Sequence, residues 1–124
     1  MRNPFASHTD FGFLKGVIQE NPKAMPSNLD MIFERNGHFL IGEWKRADEE
    51  ISTGQKILLK ALALNEKFTV LMINGHSDHT GTVVDNYYEV TQSKLIILGN
   101  GIDSLKDYIN TWYRYVNNTS KTHF

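Results

Sequence analysis

Leu29-Asp30-Met31-Ile32-Phe33-Glu34-Arg35, then Asn36-Gly37, then His38-Phe39-Leu40-Ile41-Gly42-Glu43-Trp44-Lys45 is the stretch that decides the fold. Two strand-like runs flank Asn-Gly, the strongest short-range hairpin signal, because both turn residues tolerate a positive φ. A two-residue turn sets Arg35 opposite His38, Glu34 opposite Phe39, Phe33 opposite Leu40, Ile32 opposite Ile41, Met31 opposite Gly42 and Asp30 opposite Glu43. Opposed residues share a face, with Cβ atoms about 4.5–5.5 Å apart. Side chains alternate along a strand, so Lys45 joins Glu43. The hairpin therefore predicts Asp30, Glu43 and Lys45 on one face.

Two opposed carboxylates are unfavourable without compensation. A divalent cation supplies it, Lys45 part of it, and hard oxygen ligands without thiolate suit Mg²⁺ or Mn²⁺. The ordinary alternative is a solvated hairpin face. Ile32 and Ile41 lie on the acids' face and argue for partial cover by a helix, where charges want partners or a metal.

Downstream, Ala47 to Ile51 reads as an acidic loop with Asp48, Glu49 and Glu50. Ser52 or Thr53 is a cap candidate for a helix to about Asn65, with Ile57, Leu58, Ala61, Leu62 and Leu64 as apolar positions. Lys67 to Ile73 reads as a buried strand and Asn74 to Asn86 as a polar loop. Tyr87 to Thr91 and Lys94 to Leu98 are short strand candidates. A last helix is expected to start near Asp103 or Ser104, with Leu105, Ile109, Trp112 and Val116 as its stripe. The tail 117–124 is expected to fray.

Upstream, Ser7-His8-Thr9-Asp10 fits a helix start, with Phe11, Leu14 and Ile18 at helical spacing and Val17 beside them. Gly12 and Gly16 weaken that helix by about 1 kcal/mol each relative to Ala, and Asn21-Pro22 should end it.

The chain has 124 residues, 22 % charged and 40 % hydrophobic, which favours a single domain over 1–124. No apolar run reaches the length of a membrane span, and Met1 to Phe5 lacks a secretory signal's apolar stretch. The expectation is a non-membrane, cytoplasmic protein. With no cysteine, disulfides, zinc–thiolate sites and cysteine nucleophiles are excluded. A net charge of −1 counts mildly against a nucleic-acid protein, whose phosphate contacts ordinarily need a basic surface. A cation site concentrates carboxylates, however, and bound metal offsets them.

Pro26-Ser27-Asn28-Leu29-Asp30 followed by Glu43-Trp44-Lys45 resembles the signature of the PD-(D/E)xK nuclease superfamily, closest to its Holliday junction resolvase-like and VRR-NUC branches. Gln55 fills the place of the glutamine near the start of the helix after that motif. The match spans about Pro26 to Ile73. Leu29 rather than proline precedes the aspartate, and Glu20 to Leu29 leaves little room for the strand that commonly precedes the aspartate strand. The resemblance implies an α/β (α+β) restriction-endonuclease-like core: a central mixed sheet, a β-hairpin carrying the site, and flanking helices. It implies a metal-dependent DNA endonuclease, with junction-resolving or other structure selectivity open and RNA not excluded. Mg²⁺ or Mn²⁺ would be held by Asp30, Glu43 and the Trp44 carbonyl, with Lys45 and Gln55 assisting. A further acid from the first helix is common in the family; Asp10 and Glu20 are the candidates. Arg46, Lys56 and Lys60 are candidates for phosphate contacts, and solvated lysines are the alternative. The other reading is a non-catalytic nucleic-acid- or protein-binding module on such a fold. The short standalone format suits a phage or mobile-element enzyme.

Gly75-His76-Ser77-Asp78-His79 invites a second metal site, but its spacing fits no strong motif, and a mobile polar loop is the expectation. Tyr108, Trp112, Tyr113 and Tyr115 make the last helix aromatic. Trp112 belongs to the core stripe; the tyrosines are set for packing, base stacking or a homodimer interface.

Overall fold

A computed structural model describes residues 10–27, 29–46 and 48–119. Five strands form one mixed sheet in the order β1-β2-β3-β4-β5: β1 Met31–Arg35, β2 His38–Lys45, β3 Phe68–Asp78, β4 Gly81–Val90 and β5 Leu95–Asn100. Helix α1 (Thr53–Ala63) links β2 to β3, and α2 (Ile102–Asn117) follows β5. The β2–β3 pair is parallel, as a helical crossover requires, and the other pairs are antiparallel. The coarse α+β expectation of a mixed sheet flanked by helices is met.

The hairpin register is the one the sequence predicts for five pairs, from Arg35↔His38 to Met31↔Gly42; the sixth expected pair, Asp30↔Glu43, does not form, because Asp30 lies in a bend before β1 and its carboxylate takes the Trp44 N–H instead. Asn36 (φ 53°) and Gly37 (φ 79°) make the turn in the left-handed region. The Asn36 amide also donates to the Val116 carbonyl (3.1 Å), tying the turn to the end of α2.

Each face of the sheet has its own core. On one, Leu40, Leu71, Ile73, Val84 and Tyr87 pack with Leu105, Trp112 and Val116 of α2, the expected stripe. On the other, Ile41, Val70, Met72 and Val90 pack with Leu59 of α1. The α1 stripe is rotated from the expected one. Leu59 is buried, whereas Ile57 and Leu64 are exposed. The stripe runs Gln55, Leu59, Leu62 and Ala63, which puts Gln55 on the sheet side. The helix packs on β3 and β4, so Ile41 is covered while Ile32, on the edge strand, is left exposed.

Two further expectations are corrected. No helix forms after Asp10: Gly12–Leu14 is a single 3-10 turn, and Phe13, Val17 and Ile18 are exposed. Gly16 takes φ +79°, outside the helical region. Ser7, His8 and Thr9 of the expected helix start lie outside the described residues. The Asn74–Asn86 loop is instead a continuous hairpin. Its turn lies at His79-Thr80, where Asp78 Oδ1 accepts from the Thr80 N–H (2.8 Å). The polar residues that read as loop belong to strands extended past the core; Ser77 and Thr82 hydrogen-bond across them (2.9 Å). The last helix begins at Ile102, beside the expected start near Asp103 or Ser104, with Gly101 at φ +87° as its N-cap and no side-chain cap. The start of the expected frayed tail is tied down, since Asn117 Oδ1 accepts from Arg35 (2.7 Å); residues 120–124 lie outside the described residues. No helix among the described residues is long and apolar enough to cross a membrane.

Candidate functional site

The hairpin, the crossover and the cap of α1 converge at the C-terminal ends of β2 and β3. Asp30 stands just before β1. Its Oδ2 accepts the Trp44 backbone N–H (2.8 Å), which fixes the aspartate against β2. Glu43 lies on the α1 face and is only 7 % exposed, the one buried charged residue among those described. Above it, the Ser52 hydroxyl caps α1 by accepting the Gln55 N–H (3.2 Å). One turn before buried Leu59, Gln55 points down at the sheet and donates from Nε2 to Glu43 Oε1 (3.0 Å).

The Glu43 carboxyl is pushed up from 4.5 to about 7. Burial is the main cause, followed by the Asp30 charge, a hydrogen bond from protonated Glu43 to Asp30, and the more distant Glu49 charge. The two carboxylates that the hairpin predicts together are therefore near each other, and the Asp30 charge adds to the cost of ionising Glu43. Lys45 follows on the same face and is half-buried. It is not ion-paired: the one salt bridge among the described residues joins Arg46 to Glu49 (3.7 Å), both well exposed, a geometry worth little.

The donor chemistry fits a hard cation. Two carboxylates with a carbonyl and water is a set that Mg²⁺ accepts, since it keeps several waters and takes one or two protein carboxylates. Among the described residues no group of three or more acidic or histidine side chains is assembled to hold a metal. The pair thus gains no third acid from Asp10 or Glu20. Asp10 instead accepts the Gly12 N–H (2.8 Å) within its own turn. His76, Asp78 and His79 form no metal cluster either.

Beside Asp30 there is room. Asp30, Trp44, Arg46, Ser77 and Thr82 help line a cleft of about 580 Å³ that opens toward the α2 face. Lys56 and Lys60 line a separate groove of about 270 Å³ on the α1 face, joined by Lys94 from the β4–β5 turn. Of the tyrosines, Tyr108 packs edge-on against Tyr87 (5.8 Å between centroids), and burial with the Glu89 charge pushes its hydroxyl up to about 12. Tyr113 and Tyr115 are exposed.

Sequence reasoning missed Asn74 and Asn86. Lys45 pairs with Asn74 in the parallel register, and Asn74 with Asn86 across β4. The Asn74 Nδ2 donates to Asn86 Oδ1 (2.6 Å). A strand–helix–strand order already implies parallel pairing, but reading Asn74 as the first loop residue hid its place beside Lys45.

No protein-family model, curated protein or solved structure matches this chain.

Proposed function

We propose that this protein is a metal-dependent phosphodiesterase, a DNA endonuclease of the PD-(D/E)xK type, with its site at the C-terminal ends of β2 and β3. The observation that carries the reading is the Asp30–Glu43 pair. A buried glutamate is set against a second carboxylate and held by a glutamine amide, with no ion pair to either acid among the described residues. Such an arrangement is unfavourable for the fold alone and favourable around a cation.

Asp30, Glu43 and the Trp44 carbonyl would hold Mg²⁺ or Mn²⁺. Bound there, the ion would supply Lewis-acid activation of a phosphodiester and a water of lowered pKa. The chain's own groups do the rest. Gln55 keeps Glu43 oriented through Oε1, leaving its other oxygen for the cation. The Trp44 N–H orients Asp30. Lys45, on the face of Glu43, is placed to stabilise charge developing on a phosphoryl oxygen. Arg46 beside the cleft and Lys56 and Lys60 on α1 offer phosphate contacts.

The gathering of only two acids among the described residues favours one second reading, a non-catalytic nucleic-acid- or protein-binding module on this fold. The deciding experiment is cleavage of linear duplex, single strand, flap and four-way junction DNA, with an RNA duplex beside them, in Mg²⁺ or Mn²⁺. The expected result is cutting abolished by EDTA and by Lys45→Ala, with the preferred substrate defining its selectivity. No cutting of any substrate, or equal cutting by the variant, would leave the binding-module reading in its place.

A further inference from the structure

We infer that Asn74 is a positioning residue for Lys45: its buried carboxamide oxygen, unpartnered in the structure, is the acceptor to which the neighbouring Lys45 ammonium turns when it is aimed along the face of Glu43. The inference rests on the catalytic reading for its purpose, but not for its geometry.

Asn74 Oδ1 is a buried side-chain oxygen with no hydrogen-bond partner. Buried polar atoms are nearly always satisfied, so an orphan demands a donor. The other end of the carboxamide is already engaged by Asn86 (2.6 Å). That bond fixes the amide plane, and exchanging its two ends would leave a buried N–H₂ unpaired instead. The protein donor nearest to hand lies beside β3 on the α1 face. Asn74 lies on that face because Val70 and Met72, two and four residues earlier, pack there. Asn86 lies there with Tyr88 and Val90, and Lys45 with Ile41 and Glu43.

Lys45 is the register partner of Asn74 on the neighbouring strand, about 4.8 Å away. An ammonium has three donors and no acceptor, and that of Lys45 has no carboxylate partner. The two groups complete each other. An amide oxygen is also the right acceptor for the role. A carboxylate in that place would neutralise the ammonium and add a third negative charge beside Asp30 and Glu43. A neutral oxygen orients the ammonium and leaves its charge for a phosphoryl oxygen. Asn86 acts one step further out by holding Asn74.

The test reads the lysine directly. In protein labelled with ¹⁵N-lysine and free of metal, the side-chain ammonium signal of Lys45, assigned by its loss in Lys45→Ala, is expected to be protected from solvent exchange. It should broaden or vanish in Asn74→Ala and persist in Asn74→Asp, which keeps an acceptor. An Asn74→Ala signal as sharp as the wild type's overturns the inference. Should Asn74→Ala fail to fold, Asn86→Ala decides: a weakened Lys45 signal supports the relay and an unchanged one overturns it. Where wild type cuts DNA, Asn74→Ala should lower kcat about tenfold with KM unchanged, and should add nothing to Lys45→Ala. Equal losses in both backgrounds would mean a merely structural role. Where wild type cuts nothing, the nuclease reading falls and the lysine signal alone settles Asn74.

Discussion

Replacing Glu43 with glutamine should make this protein more stable. The carboxyl sits at about 7 in the fold against an ordinary 4.5, so ionising it in the native state costs more than ionising it in the unfolded chain. Each pKa unit corresponds to about 1.36 kcal/mol, which sets a ceiling near 3 kcal/mol. Asp30 and Glu49 are exposed, and solvent screens their share; about 1–2 kcal/mol remains. Glutamine keeps the carbonyl that accepts from Gln55 and presents an N–H₂ to Asp30 where the wild type presents a negative charge.

The sign follows from linkage. Below pH 4.5 Glu43 is protonated in both states and the penalty is absent. Between about 4.5 and 7 the native state binds the extra proton, so wild-type stability falls as pH rises. Above 7 the penalty is full. The advantage of Glu43→Gln should thus be near zero at pH 4.5, grow through pH 6, and level off at about 1–2 kcal/mol by pH 8. Urea unfolding followed by fluorescence of Trp44 and Trp112 in EDTA would measure it, with a thermal midpoint shift of roughly 4–8 °C at pH 8. A variant no more stable than wild type at pH 8, or a difference that ignores pH, would refute the reasoning. On the proposed function, Mg²⁺ or Mn²⁺ at about a hundred times its Kd should stabilise wild type by about 2.7 kcal/mol and leave the variant unmoved.

Asn36→Ala should cost about 1–2 kcal/mol in urea unfolding, through a left-handed alanine and loss of the bond to Val116. Asn36→Gly should recover the conformational share. Gly75→Ala should cost about 2–3 kcal/mol by calorimetry, because its Cβ would run into the Val83 carbonyl and come within 3.0 Å of the Trp44 ring; overpacking of this kind is not relieved by rotamer choice. Tyr87→Phe should cost about 1–2 kcal/mol in thermal unfolding, since the buried hydroxyl bonds both the Oγ (2.7 Å) and the carbonyl (3.0 Å) of Ser104.

The hairpin was legible because Asn36-Gly37 fixes both the turn type and the register, which carries Asp30 to one residue before the ladder, where the Trp44 N–H holds it beside Glu43. The last helix was legible because Leu105, Ile109, Trp112 and Val116 keep one helical face. The stripe of α1 was not. Ile57, Leu58, Leu59, Ala61, Leu62 and Leu64 are apolar nearly all round, so periodicity cannot choose a face, and the sheet chose Leu59 with Gln55. The long β3–β4 hairpin was hidden by its polarity, since both strands run past the helices into solvent, where burial no longer selects apolar residues. The 3-10 turn replaced a helix because Gly12 and Gly16 disfavour it and the segment has no groove to bury Phe13, Val17 and Ile18.

The position of Glu43 is the strongest argument that the site has a purpose beyond folding. It lies opposite Met72 on the parallel β2–β3 pair, one ladder step from Ile41 and under the first turn of α1, where a leucine or methionine would pack at no electrostatic cost. The fold instead holds a carboxyl there and sets Asp30 against it. If Lys45 were present to neutralise the acids, an ion pair within 4.0 Å would be expected, and the one ion pair among the described residues lies elsewhere. If Gln55 were a general polar cover, it would not need Ser52's cap and Leu59's burial to aim its amide at one oxygen. The pair of Asp30, just before edge strand β1 and lining a cleft, and Glu43, buried on β2 with Oε1 tethered to Gln55, is relieved either by a proton on Glu43 or, on the proposed function, by a cation. The metal-dependent gain in wild type, absent from Glu43→Gln, measures that neutralisation directly.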